Sequence, residues 1–60
     1  MKGAQALGLY IKSEVARWGY ITPDCLALMR RSHMKRADFE AAVRAGLALH
    51  EQNAGRRRAA

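Results

Sequence analysis

The sequence predicts a small all-α protein with three short helices, at about residues 4–18, 23–31 and 36–52. Three observations support this fold class. Apolar residues recur at helical spacing in the first segment, a strong helix start signal precedes the second, and apolar and small residues line one face of the third. At 60 residues the chain holds one domain at most. We assign residues 1–55 to this domain and residues 56–60 to a basic disordered tail. The predicted architecture is either helix-turn-helix-like or a small bundle completed by dimerisation.

The first helix is predicted from one apolar stripe, formed by Ala4, Leu7, Ile11, Val15 and Trp18. Their spacing advances at about 100° per residue, which is typical of an amphipathic helix with Ala16 on its far side. Residues 7–12 also alternate as a strand would, so a strand stays open as an alternative there. Gly19 is expected to end the helix in the left-handed conformation.

The second helix begins at the clearest local signal in the chain. Thr22 is a good N-cap, Pro23 suits the first helical position, and Asp24 complements the positive end of the helix. Its inward side chains are expected to be Cys25, Leu26, Leu28 and Met29. No strong breaker separates the second helix from the third, so one bent helix over residues 23–53 is the alternative.

The third helix has many small residues along its predicted inner face, so another helix can approach it closely. His50 lies on this face and is expected to be a hydrogen-bonded core or interface histidine. We expect the apolar and small-residue faces of the first and third helices to form a homodimer. The predicted core comprises Leu7, Ile11, Val15, Trp18, Leu26, Met29, Phe39, Val43 and Leu47.

The size of the chain favours such a dimer, because a domain this small buries only about 60% of its unfolded surface. Cys25 is the single cysteine, which excludes a disulfide within the chain. Cys25, His33 and His50 lack the paired spacing of a structural zinc site, so we expect neither a metal nor another cofactor. The apolar neighbours of Cys25 predict a buried structural thiol.

Positive charge is concentrated in residues 30–36, which we call the basic junction. The formal net charge of the chain is +6, yet the chain outside this junction and the arginine tail is nearly neutral. Clustered cations of this kind are typical of phosphate contact, here with the start of the third helix aimed into the major groove of DNA. The candidate nucleic-acid-binding residues are Arg30, Arg31, Lys35, Arg36, Arg56, Arg57 and Arg58.

The segment from Met34 to Leu49 resembles the second helix of ribbon-helix-helix DNA-binding regulators. In that family a short polar or basic turn leads into an aliphatic-stepped helix of the dimer core. The resemblance implies a dimeric, DNA-binding transcriptional regulator. It assigns no base-contacting residue here, because that family reads DNA with a strand placed before its first helix.

Other function classes are less favoured by the sequence. No catalytic set is fixed around a pocket, so neither an enzyme nor a small-molecule substrate is expected. No apolar run is long enough for a membrane span, and the lone cysteine favours a reducing, cytoplasmic setting. The alternative to DNA binding is an adaptor or inhibitor of the kind encoded by phages and mobile elements. Such a chain docks on a larger acidic host protein through the basic junction or an exposed helix face with Leu9, Tyr10 and Tyr20.

Overall fold

A computed structural model describes the backbone of residues 3–59 and the side chains of residues 5–56. It contains three α-helices, α1 (Gly3–Trp18), α2 (Pro23–Ser32) and α3 (Arg36–Ala59), and no strand in this part of the chain. The predicted all-α fold of three helices is therefore confirmed. Residues 7–12 lie within α1, so the strand alternative is wrong.

The boundary between α1 and α2 is set by the residues that the sequence indicated. Gly19 adopts a φ of 81°, and its N–H donates to the carbonyl of Val15 at 2.7 Å. At the start of α2, the Thr22 hydroxyl accepts the N–H of Cys25 at 3.3 Å, and Pro23 is the first helical residue. Both local signals are confirmed, because each acts through groups within a few residues.

The break between α2 and α3 is made by a histidine in the left-handed conformation. His33 has φ 56° and ψ 34°. Its N–H donates to the carbonyl of Arg30 at 3.4 Å, and the N–H of Met34 donates to that of Met29 at 3.3 Å. These two bonds form a Schellman motif without the usual glycine. The helices are separate, so the alternative of one bent helix is wrong.

The third helix is longer than predicted. It begins at Arg36, as expected, but runs through Asn53 and Gly55 to Ala59. Asn and Gly end a helix when they adopt a positive φ, and in the described residues only Gly19 and His33 do so. The predicted end near residue 52 is therefore wrong, and residues 56–59, predicted as a disordered tail, form the last turn of α3.

The main packing contact joins α1 and α3, which run in the same direction because α2 carries the chain back between them. A Cβ atom added to Gly46 would lie 2.7 Å from the carbonyl oxygen of Lys12 and 2.7 Å from the Cβ of Val15. Further along, Nδ1 of His50 donates to the carbonyl of Ala16 at 2.8 Å. The close approach predicted for the small face of α3 is thus made within one chain, as is the hydrogen bond expected of His50.

The core is small. Ile11, Val15 and Cys25 are fully buried, and Ala16 and Phe39 are nearly so. Partly buried apolar side chains pack against this cluster, namely Met29, Met34, Ala42 and Val43. Ile11, Val15 and Phe39 were correctly predicted as core, and Cys25 is the buried thiol that its neighbours indicated.

Three residues predicted as core are instead well exposed: Trp18 at 49%, Leu26 at 37% and Leu47 at 40%. Ala16, predicted on the far side of α1, is buried. The small residue Gly46 lets α3 approach the backbone of α1 on the side that carries Ala16. Close approach increases the number of atoms in dispersion contact, so this side of α1 is the buried one. Trp18 is left outside, with the Arg17 guanidinium 5.2 Å from its ring centre.

Leu7, also predicted as core, is only half-buried. None of the helices within residues 3–59 combines the length and the apolar character that crossing a membrane requires.

Candidate functional site

The basic junction comprises the end of α2, the turn at residues 33–35 and the first residue of α3. Arg30, Arg31, Lys35 and Arg36 are all exposed. Arg36 forms an i, i+4 ion pair with Glu40 at 3.2 Å while 90% of its side chain remains accessible. This is the single ion pair among the side chains of residues 5–56, so the junction keeps most of its charge available to an outside partner.

The structure distributes the junction's cations over two sides of α2. Arg30 and Arg36 lie at the groove between α2 and α3, whereas Arg31 lines the hollow between α1 and α2. Neighbouring residues of a helix point about 100° apart, which explains the separation of Arg30 from Arg31. The junction is therefore a cationic end of α2 with two flanks, and the predicted residues are close together without facing one way.

The start of α3 has no side-chain cap. Lys35 precedes the helix, and its carbonyl accepts the N–H of Phe39 at 3.0 Å. A lysine side chain carries donors only, so it cannot accept the N–H groups of the first turn. Asp38 in that turn complements the helix dipole. The Asp38 carboxylate therefore offsets part of the positive field that this helix end adds to the junction.

A groove between α2 and α3, which we call the α2–α3 groove, opens beside this charge. Its floor is apolar and is formed by Ile21, Leu26, Met29, Met34 and Phe39. It continues along α3 past Val43 and Leu47. Its rim carries the polar side chains Arg30, His33, Arg36, Glu40 and Arg44. Apolar floor and basic rim thus belong to one surface.

The outward face of α3 between residues 37 and 48 is mostly alanine, with the exposed Arg44 among the alanines. Ala37, Ala41, Ala45 and Ala48 are all exposed along it. Direct reading of bases in a major groove depends on polar side chains such as Arg, Asn or Gln at such positions. Between residues 37 and 48 this face therefore offers Arg44 as its main hydrogen-bonding side chain.

The tail arginines are remote from the basic junction. Arg56 is exposed and lies 20 residues along α3 from Arg36, which corresponds to about 30 Å of helix. The side chains of Arg57 and Arg58, also predicted as nucleic-acid-binding, lie outside the described residues. The structure does not bring the tail and the junction together into one site.

The surroundings of Cys25 and His50 indicate that these residues stabilise the fold. Cys25 is fully buried in the core, and His50 bridges α3 to the end of α1. The carboxylate of Glu14 is the main cause that raises the pKa of Tyr10 above its ordinary value. In the part of the chain that the structure describes, no three His, Cys, Asp or Glu side chains gather as metal ligands would.

Sequence reasoning missed the α2–α3 groove. Leu26 and Leu47, which line it, were assigned to the core. A usable signal was present, since the chain contains more large apolar residues than so small a domain can bury.

Comparisons of the chain with protein families, with curated proteins and with solved structures found no match.

Proposed function

We propose that the protein binds duplex DNA through phosphate contacts made by the basic junction. The observation that carries the proposal is the exposure of Arg30, Arg31, Lys35 and Arg36 at one end of α2. Among the described side chains, a carboxylate engages only Arg36 of these four. Each such cation that reaches a phosphate releases condensed counterions, which is the main source of sequence-independent affinity for DNA.

The two-sided arrangement of the cations suits a duplex. Arg31 on one flank of α2, and Arg30 with Arg36 on the other, can meet phosphates on both sides of the helix end, while the uncapped start of α3 adds N–H donors. The outward face of α3 is mostly alanine, with Arg44 as its main hydrogen-bonding side chain between residues 37 and 48, so it supplies limited base recognition. We therefore propose that the protein binds DNA phosphates with weak preference for sequence. A role in transcriptional regulation would require a stronger sequence preference, which the titration described next also measures.

The test is fluorescence anisotropy with a labelled random-sequence duplex at several salt concentrations. Four phosphate contacts predict a slope of log K against log salt of about −3.6. We expect Arg31→Ala and Lys35→Ala each to reduce the magnitude of the slope by about 0.9, the value of one phosphate contact. Repeating the titration with duplexes of different sequence measures any preference.

Arg17→Ala is the matched control, because Arg17 is an exposed arginine of α1 that stacks on Trp18 away from the junction. It removes the same charge and is expected to leave the slope unchanged. Absence of binding at low salt, or equal slopes for Arg17→Ala and Arg31→Ala, contradicts the proposal.

A further inference from the structure

The floor of the α2–α3 groove leaves large apolar side chains open to solvent. Ile21 is 41% exposed, and Leu26 and Leu47 are similarly accessible. They lie beside Phe39, which lines both parts of the groove and joins them into one depression. Exposed large apolar side chains that adjoin one another, unlike those scattered singly over a surface, mark a candidate binding surface.

The dimensions of the groove suit a helix. Along α3 it extends from Arg36 to Leu47, which is about 16 Å at 1.5 Å per residue. That length accommodates about three turns of a second helix, which would place its apolar stripe on the floor. A helix also satisfies its own backbone hydrogen bonds, so an apolar floor need not supply partners for them.

The charge on the rim selects the chemistry of the occupant. The rim carries three arginines, Arg30, Arg36 and Arg44, and one carboxylate, that of Glu40. Because Glu40 pairs with Arg36, the positive charges of the other two arginines are not balanced on the rim. The other two inter-helix hollows are balanced. The α1–α2 hollow has Asp24 with Arg31, and the α1–α3 hollow has Lys12 with Asp38.

This imbalance also argues against a second copy of the chain as the occupant. Twofold pairing through the groove would place the same cationic rim against itself, and like charges across an interface are unfavourable. An acidic partner gains from the same field, and its carboxylates pair with the arginine side chains at the rim.

We infer that the α2–α3 groove docks an amphipathic helix of a protein partner, with acidic side chains flanking its apolar stripe. This inference stands apart from the DNA proposal, because it depends on the apolar floor as well as on charge. The two ligands share Arg30 and Arg36, so an acidic helix bound in the groove competes with DNA. Arg31 and Lys35 do not line the groove, which allows the two proposals to be tested separately.

The probe is a synthetic three-turn helical peptide with leucines at i, i+3, i+4 and i+7 and glutamates flanking them. A second peptide has lysines in place of the glutamates. We expect the full chain to bind the glutamate peptide at least about tenfold more tightly than the lysine peptide, as measured by anisotropy. Bound glutamate peptide is also expected to weaken DNA binding.

Two pairs of variants test the site. Arg30→Ala is expected to weaken the glutamate peptide by about tenfold, whereas Arg31→Ala, the adjacent arginine outside the groove, leaves it unchanged. Leu26→Ala on the floor weakens it by a similar factor, whereas Leu9→Ala, at a more exposed leucine of α1 outside the groove, does not. Circular dichroism confirms that each variant is folded.

Equal effects within either pair, or equal affinity for the two peptides, overturn the inference. A homodimer that sedimentation detects and that Leu26→Ala dissociates also overturns it, because the occupant is then a second copy. Peptide binding without salt-dependent DNA binding rejects only the DNA proposal. DNA binding without any peptide binding rejects only the groove inference.

Discussion

Gly46 is the position where a single added carbon has the largest expected effect on the fold. Its α carbon faces the backbone of α1, and an added Cβ would lie 2.7 Å from both the Lys12 carbonyl oxygen and the Cβ of Val15. Close C–H···O contacts in proteins are about 3.3–3.6 Å, so Gly46→Ala forces α1 and α3 apart by more than about half an ångström. Neither obstacle is the flexible end of a side chain.

The magnitude follows from two opposing terms. Overpacking against rigid neighbours costs about 3 kcal/mol at the upper end of its usual range. Replacing a helical glycine by alanine returns about 1 kcal/mol through helix propensity. The net loss in the free energy of unfolding is therefore about 2 kcal/mol, which corresponds to a fall in Tm of about 8–16 °C for a domain of this size.

Thermal unfolding followed by circular dichroism measures this change. Gly8→Ala is the matched control, because Gly8 lies within α1 and a Cβ there meets no atom within 4 Å. It gains the propensity term without the clash, so its Tm is expected to rise. A Gly46→Ala protein at least as stable as the parent refutes the close-packing account of the α1–α3 contact.

Three further predictions concern the helix ends and one exposed tyrosine. Thr22→Ala removes the N-cap of α2 and is expected to lower the free energy of unfolding by about 1 kcal/mol, whereas Thr22→Ser preserves it; equal urea midpoints for the two variants contradict the cap. His33→Gly relieves the left-handed conformation and is expected to stabilise the fold by about 1 kcal/mol, measured as a rise in the urea midpoint, and a fall contradicts the assignment. Glu14→Gln is expected to lower the pKa of Tyr10 toward its ordinary value of 10.0, as read from phenolate absorbance. Because the folded-state pKa is raised, the stability that Tyr10 contributes is present below the unfolded-state pKa and is lost as the pH rises through the folded-state pKa.

The sequence was a good guide where structure depends on nearby residues. Gly19 and Thr22 act within one helical turn, so their roles were readable without knowledge of the packing. The break between α2 and α3 was also predicted, between residues 31 and 36, but the sequence did not indicate that His33 makes it. His33 adopts a positive φ, and its backbone N–H and that of Met34 both find carbonyl partners in the last turn of α2.

Side-chain burial was harder to predict because it depends on which faces meet. The apolar stripe of α1 indicated Trp18, but the approach of Gly46 selected the side that carries Ala16. The same holds for the candidate site. The exposed cations of the basic junction were identified from sequence, whereas their division between two flanks, and the groove beside Arg30, required the positions of α2 and α3.

The second helix forms one wall of two depressions, and it packs against α1 and α3 far less extensively than those two helices pack against each other. Elements with few buried contacts open locally at lower free energy than the rest of a fold. Amide protons of α2 should therefore exchange with solvent before those of the α1–α3 pair. Any ligand seated against α2 would slow that exchange, which makes the helix a built-in reporter of occupancy.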